Sequence, residues 1–175
     1  MHRNLIVAGN FNMTNVKELF DSLIELGQHP KEMADTVTVM EKIGHFLDDE
    51  VTDLYQECKN EGLSKREASP VIAERLDVKK ILKRAAKGWD GGYAMAGLFG
   101  HGDAFVFRDP AGIRPAYFYE DDEITVVASE RPVIQTVFNV PFDKVQELDP
   151  GHALIKKKNG TVTKEEILTP TIKKA

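Results

Sequence analysis

The sequence predicts an α+β domain, helix-rich in its first half and built of antiparallel sheets in its second. Between residues 16 and 87 apolar side chains recur at the 3.6-residue spacing of helices, whereas nearly everything after Gly91 reads as short β-branched or aromatic runs broken by Pro, Gly and Asn. The connections between those runs are too short for the crossovers that parallel strands require, so pairing is antiparallel. A chain of 175 residues with 42% hydrophobic content suffices for one domain with its own core.

The elements follow in order. Leu5-Ile6-Val7-Ala8 reads as a buried strand running into the polar loop Gly9-Asn10-Phe11-Asn12-Met13-Thr14-Asn15 and then a helix. Asn15 is its expected N-cap, with Glu18 closing a capping box. Phe20, Leu23 and Ile24, then Val39, Met40, Ile43, Phe46 and Leu47, repeat at helical spacing and are expected to face the core. Asp35, in Ala34-Asp35-Thr36-Val37, opens the second helix, where a carboxylate is favoured by the helix dipole. The acidic stretch 41–61 continues that helix, Ser64 to Glu67 resembles another helix start, and 78–86 adds a further turn or more. Residues 48–75 read as a helical insertion, a solvated scaffold more than a partner-binding surface.

From Gly92 onward Tyr93, Met95, Gly97, Phe105 and Phe107 alternate inward on two strands. Next comes Phe107-Arg108-Asp109-Pro110-Ala111-Gly112-Ile113-Arg114-Pro115, two arginines around a Pro/Gly turn, which reads as a tight reversal between paired strands. Ala128-Ser129-Glu130-Arg131-Pro132 and Asp149-Pro150-Gly151-His152-Ala153-Leu154-Ile155 each join a strand to the next element. Lys156 to Lys158, beside Asn159-Gly160, suit an exposed hairpin end, and 169–175 has the composition of a tail or linker.

Composition excludes several functions. Cys58 stands alone, so no intramolecular disulfide forms, and Glu57 and Glu61 beside it discourage a reactive thiolate. The five histidines show no metal-ligand spacing, and no glycine cluster opens a helix after a strand as a phosphate loop would; neither a metal nor a cofactor is expected. A net charge of −5 gives no reason to expect nucleic-acid binding. No run approaches the roughly 20 apolar residues of a membrane span, and a cytoplasmic location is the default.

Taken together, Arg108-Asp-Pro-x-Gly-x-Arg-Pro, Ala128-Ser-Glu and Pro150-Gly-x-Ala-Leu-Ile resemble the glutaminase domain of the glutamine phosphoribosylpyrophosphate amidotransferase (amidophosphoribosyltransferase) family. The resemblance implies a class II glutamine amidotransferase of de novo purine synthesis. Its fold would be a partial αββα sandwich of the N-terminal-nucleophile hydrolase type. Asn10 then falls on the asparagine whose side-chain amide helps to form the oxyanion hole, and Phe11 falls where the usual glycine donates its backbone N–H. A φ above zero there would cost a phenylalanine steric strain. Asp35 resembles the carboxylate that grips the α-amino group of glutamine. Arg108, Arg114, Ser129 and Glu130 either hold the turn and strand ends together or line the pocket, and the structural role is favoured.

Two family features have no counterpart in these residues: the amino-terminal cysteine nucleophile, since residue 1 is Met1, and the loop whose arginine binds the glutamine carboxylate. The expectation is that residues 1–168 form the carboxyl-side portion of a type 2 glutamine amidotransferase domain, with 169–175 leading to a downstream phosphoribosyltransferase domain. The intact enzyme would hydrolyse glutamine and pass ammonia to phosphoribosyl pyrophosphate, a glycosyl transfer, while this chain alone would be inactive. Homo-oligomerisation is compatible with all of this. The alternatives are a non-catalytic interaction module on the same fold and a glutaminase domain of another class II amidotransferase.

Overall fold

In a computed structural model that describes residues 2–171, one strand, β1 (Leu5–Met13), precedes four helices: α1 (Val16–Glu25), α2 (Asp35–Asn60), α3 (Lys65–Arg75) and α4 (Val78–Ala85). Then come β2 (Gly91–Phe99), β3 (Ala104–Arg108), β4 (Tyr117–Glu120), β5 (Thr125–Ala128), α5 (Arg131–Phe138), a 3-10 turn (Phe142–Lys144), β6 (Gln146–Glu147), β7 (His152–Lys156) and β8 (Val162–Glu166). Two sheets result, one in the order β1-β2-β3-β7-β8 and one in the order β5-β4-β6, and every pairing is antiparallel.

The layers follow from side-chain alternation. Val7, Phe11, Tyr93, Met95, Phe99, Phe105, Phe107, Ala153 and Ile155 point to one face of the larger sheet and pack with Val39, Ile43, Leu47 and Val51 of α2 and Ile81 and Leu82 of α4. On the other face Ala94, Val106 and Leu154 meet Ala116, Phe118 and Leu148 of the smaller sheet's strand and flanking residues. Beyond the smaller sheet, Arg131 of α5 stacks over Tyr117 with its guanidinium carbon 5.1 Å from the ring centroid. Helix, sheet, sheet and a single short helix make the partial αββα sandwich. Across the β2–β3 pair the Phe105 ring lies over its partner Gly97: a Cβ on Gly97 would lie 2.1 Å from that ring, which is why glycine stands there.

Several expectations are corrected. β1 is an edge strand, not a buried one, and extends through Met13, so Asn10 to Met13 are strand residues opposite Ala94 to Gly91 where a loop was expected. Ile6 is 68% exposed because the smaller sheet does not reach over β1. Asn15 is the N-cap of α1 but no capping box forms; its side chain instead donates to Gly88 O and accepts from Asp90 N, tying the strand end to the start of β2. On α1 the buried pair is Leu19 and Leu23, with Ile24 turned outward. The stretch after Gly91 is mostly strand and turn as expected, with α5 and the 3-10 turn as the exceptions. Finally, the segment from Asp109 to Ala116 does not reverse a hairpin: β3 pairs with β2 and β7, β4 with β5 and β6, so the chain crosses from one sheet to the other.

Residues 48–75 are joined to the core. Val51, Leu54, Cys58, Ala68 and Ile72 are buried in the main cluster, and Arg75 grips Glu61 through two bonds of 2.8 and 3.2 Å. Ser64 forms the capping box with Glu67 that starts α3. Of the expected tail, Thr171 donates its N–H and hydroxyl to Pro110 O, and 172–175 lie outside the described residues.

Candidate functional site: a cleft between the sheets

Where the smaller sheet stops short of β1, a cleft of about 330 Å³ opens between the layers. Its room comes from small side chains, Ala8 on β1 and Ala94 and Ala96 on β2, facing Val127 and Ala128. Three polar residues reach it: Asn10, Arg114 and Ser129. Asn10 is placed by strand alternation. Phe11 and Met13 turn to the helix layer, so Asn10 between Gly9 and Phe11 turns to the cleft. Phe11 has no positive φ; it is an ordinary strand residue opposite Tyr93, and the strain expected for it is absent.

Asp35 is not among the residues lining the cleft. It opens α2, and its Oδ2 accepts the N–H of Met13 at 2.9 Å, docking the helix N-terminus on the end of β1. Met13 is three residue steps from Asn10, about 10 Å along β1. The structure thus puts Asn10 and Asp35 on the same half of β1 but on opposite layers.

The turn that crosses between the sheets is held by two buried residues. Asp109, fully buried, accepts from Ile113 N at 2.9 Å through Oδ1 and from Arg114 N at 3.0 Å and Tyr93 N at 3.3 Å through Oδ2. Arg108 donates Nε to Arg114 O at 2.7 Å, Nη2 to Gly112 O at 3.1 Å, and Nη1 to Leu148 O at 2.6 Å and Glu147 Oε1 at 2.7 Å. Its guanidinium is committed to structure. Arg114 and Ser129 also line the cleft, Arg114 while its backbone N–H and carbonyl hold the turn. Glu130 is the exposed N-cap of α5 and makes no side-chain capping bond.

Other reactive groups lie elsewhere. Cys58 is fully buried among the apolar residues of α2, α3 and their neighbours. In the β2–β3 connection Asp103 is fully buried, with Oδ1 accepting from Lys158 N at 2.8 Å and Oδ2 bonded to Lys157 and 3.0 Å from His101 Nε2. Burial pushes its carboxyl up, but the bonds from Lys157, His101 and the Lys158 N–H outweigh it and hold it below the ordinary aspartate value. Lys157 also donates to Leu76 O, so this end of the β7–β8 hairpin is fastened to α3 and not free in solvent. Among the described residues no group of His, Cys, Asp and Glu is arranged to hold a metal ion, and no helix is long and apolar enough to cross a membrane.

No protein-family model matches the chain. An amidophosphoribosyltransferase of Saccharomyces cerevisiae is 40% identical to it over 73 residues, 39% of this chain and 14% of the yeast protein. Among solved structures, the glutamine phosphoribosylpyrophosphate amidotransferase of B. subtilis, complexed with ADP and GMP, superposes with a TM-score of 0.62 at 22% identity over 94% of this chain and 29% of that one. A structure described as the allosteric regulatory enzyme of purine biosynthesis gives 0.64 at 22% identity, over 94% and 28%. The chain therefore resembles amidophosphoribosyltransferases in sequence over part of its length and shares the glutaminase-domain fold with them over nearly all of it, while spanning less than a third of the proteins it matches.

Proposed function

We propose that the chain is the carboxyl-side portion, residues 1–168, of a type 2 glutaminase domain from an amidophosphoribosyltransferase-like enzyme of cytoplasmic purine synthesis. In the intact enzyme glutamine is hydrolysed and its ammonia passes to phosphoribosyl pyrophosphate in a transferase domain reached through 169–175, with 48–75 as a helical insertion. The observation that carries this reading is Asn10 facing a cleft between the sheets, in the Asn-x-Asn-x-Thr-Asn stretch that resembles the family's, inside a fold matched over 94% of the chain.

The chemistry assigned to the residues is limited. The Asn10 side-chain amide donates to the oxyanion that develops when the glutamine amide is attacked; the ammonium role that the resemblance gives Asp35 is a separate assignment, because Asp35 stands outside the cleft lining and bonds the Met13 N–H. Neither can attack carbon. Covalent catalysis needs a nucleophile, and buried Cys58 is remote from the cleft lining. The 175-residue chain incubated with glutamine is therefore expected to release no ammonia above background. Turnover that disappears in Cys58→Ser would contradict this assignment. A non-catalytic interaction module on the same fold is favoured by one observation: Phe11, where the resemblance expects glycine, is a strand residue opposite Tyr93 whose ring packs on the helix-side core.

A further inference from the structure

We propose that the cleft binds a small carboxylate through the guanidinium of Arg114. The inference goes beyond the glutamine reading, since it holds for carboxylates that carry no ammonium and needs nothing from Asp35.

The turn holds Arg114 from both sides by its backbone. Its N–H donates to Asp109 Oδ2 at 3.0 Å, its carbonyl accepts from Arg108 Nε at 2.7 Å, and Pro115 restricts the backbone further. The side chain takes no part in this. It lines the cleft, its Nε is buried without a hydrogen-bond partner, and among the described residues it makes no ion pair or hydrogen bond. Arg108, six residues earlier, has all three guanidinium nitrogens engaged. A guanidinium carried on a fixed backbone, with its Nε buried and left without an acceptor, is a vacant half of a fork that a carboxylate completes with two parallel bonds.

The surroundings select the ligand. No acidic side chain lines the cleft, so an anion meets no repulsion and an ammonium meets no counter-charge. Asn10 and Ser129 offer neutral hydrogen bonds, and Ala8, Ala96 and Ala128 leave room for a short apolar stem. One positive charge balances one carboxylate; a phosphate dianion brings more charge than the cleft neutralises.

Titrating the ¹⁵N-labelled chain at constant ionic strength tests this. Glutaramate, which carries a carboxylate and an amide but no ammonium, is expected to give saturable shifts at the Arg114 Nε–H and the Asn10 side-chain amide, and the neutral diamide glutaramide none. Arg114→Gln should weaken glutaramate at least about tenfold, with Arg114→Lys, which keeps charge but not the fork, in between. Both variants leave the backbone clamps intact, and the comparison of the two ligands on the unaltered chain decides the matter even if a variant misfolds. Equal shifts from glutaramide, unchanged affinity in Arg114→Gln, or tighter binding of inorganic phosphate would overturn the proposal. Glutaramate binding with no effect of glutamine at Asp35 would support it while counting against the glutamine reading alone.

Discussion

Asp109 shows how much one side chain can decide. Its carboxylate accepts from three backbone N–H groups, that of Tyr93 buried and those of Ile113 and Arg114 partly so, and it sits where the chain passes from one sheet to the other. Asp109→Ala should cost about 3 kcal/mol or more in urea unfolding, because orphaned buried donors cost more than lost bonds alone. Asp103 carries a pH signature. Its folded pKa lies below the ordinary value near 3.9, so its contribution is complete above about that pH and is lost as pH falls through the lower folded value. Asp103→Asn should lose about 1–3 kcal/mol at pH 7 and flatten the stability profile in that acid window, measured by chemical denaturation from pH 7 to pH 2. The two aspartates differ in legibility. Asp109 lies in a motif whose Pro and Gly announce a turn, but nothing local in the sequence tells that its acceptor sites are filled by Tyr93, Ile113 and Arg114. Asp103 and its partner Lys157 are 54 residues apart, beyond any local pattern.

At the scale of elements, the helices were legible because burial repeats at 3.6 residues in α2 and α4 and because Ser64 and Glu67 mark the start of α3. The strands β2 and β3 were legible from alternation. What sequence did not reveal was partnership: a turn rich in Pro and Gly signals a change of direction, and whether the next strand joins the same sheet depends on tertiary packing. The same limit applies to β1, whose polar Asn10 and Asn12 looked like loop because strands seldom expose such residues on a face that a second sheet is expected to cover. The β2–β3 contact yields a sharp test. Gly97→Ala should destabilise by about 2 kcal/mol, since its Cβ would meet the Phe105 ring, and Phe105→Leu in the same chain should recover part of that loss. Strict additivity of the two changes in denaturation midpoints would mean that the ring is not what excludes a side chain at Gly97.

On the scale of the whole molecule, two sheets of unequal size leave part of the larger one uncovered, and the cleft with Asn10, Arg114 and Ser129 lies at that boundary. The candidate site was half legible. Asn10 and Asp35 were found through a resemblance in short segments, but their placement on opposite layers follows from β1 remaining extended to Met13, and the Arg114 side chain is left to the cleft because the Arg108 guanidinium holds the turn. The glutaminase reading stands or falls on whether this surface recognises glutamine. Chemical-shift mapping of the ¹⁵N-labelled chain with glutamine measures that directly. Saturable shifts at the Asn10 side-chain amide and at the Met13 N–H, which reports on Asp35, with affinity reduced about tenfold in Asp35→Asn, are the expected result. Shifts confined to other surfaces, or an affinity indifferent to Asp35→Asn, would contradict it.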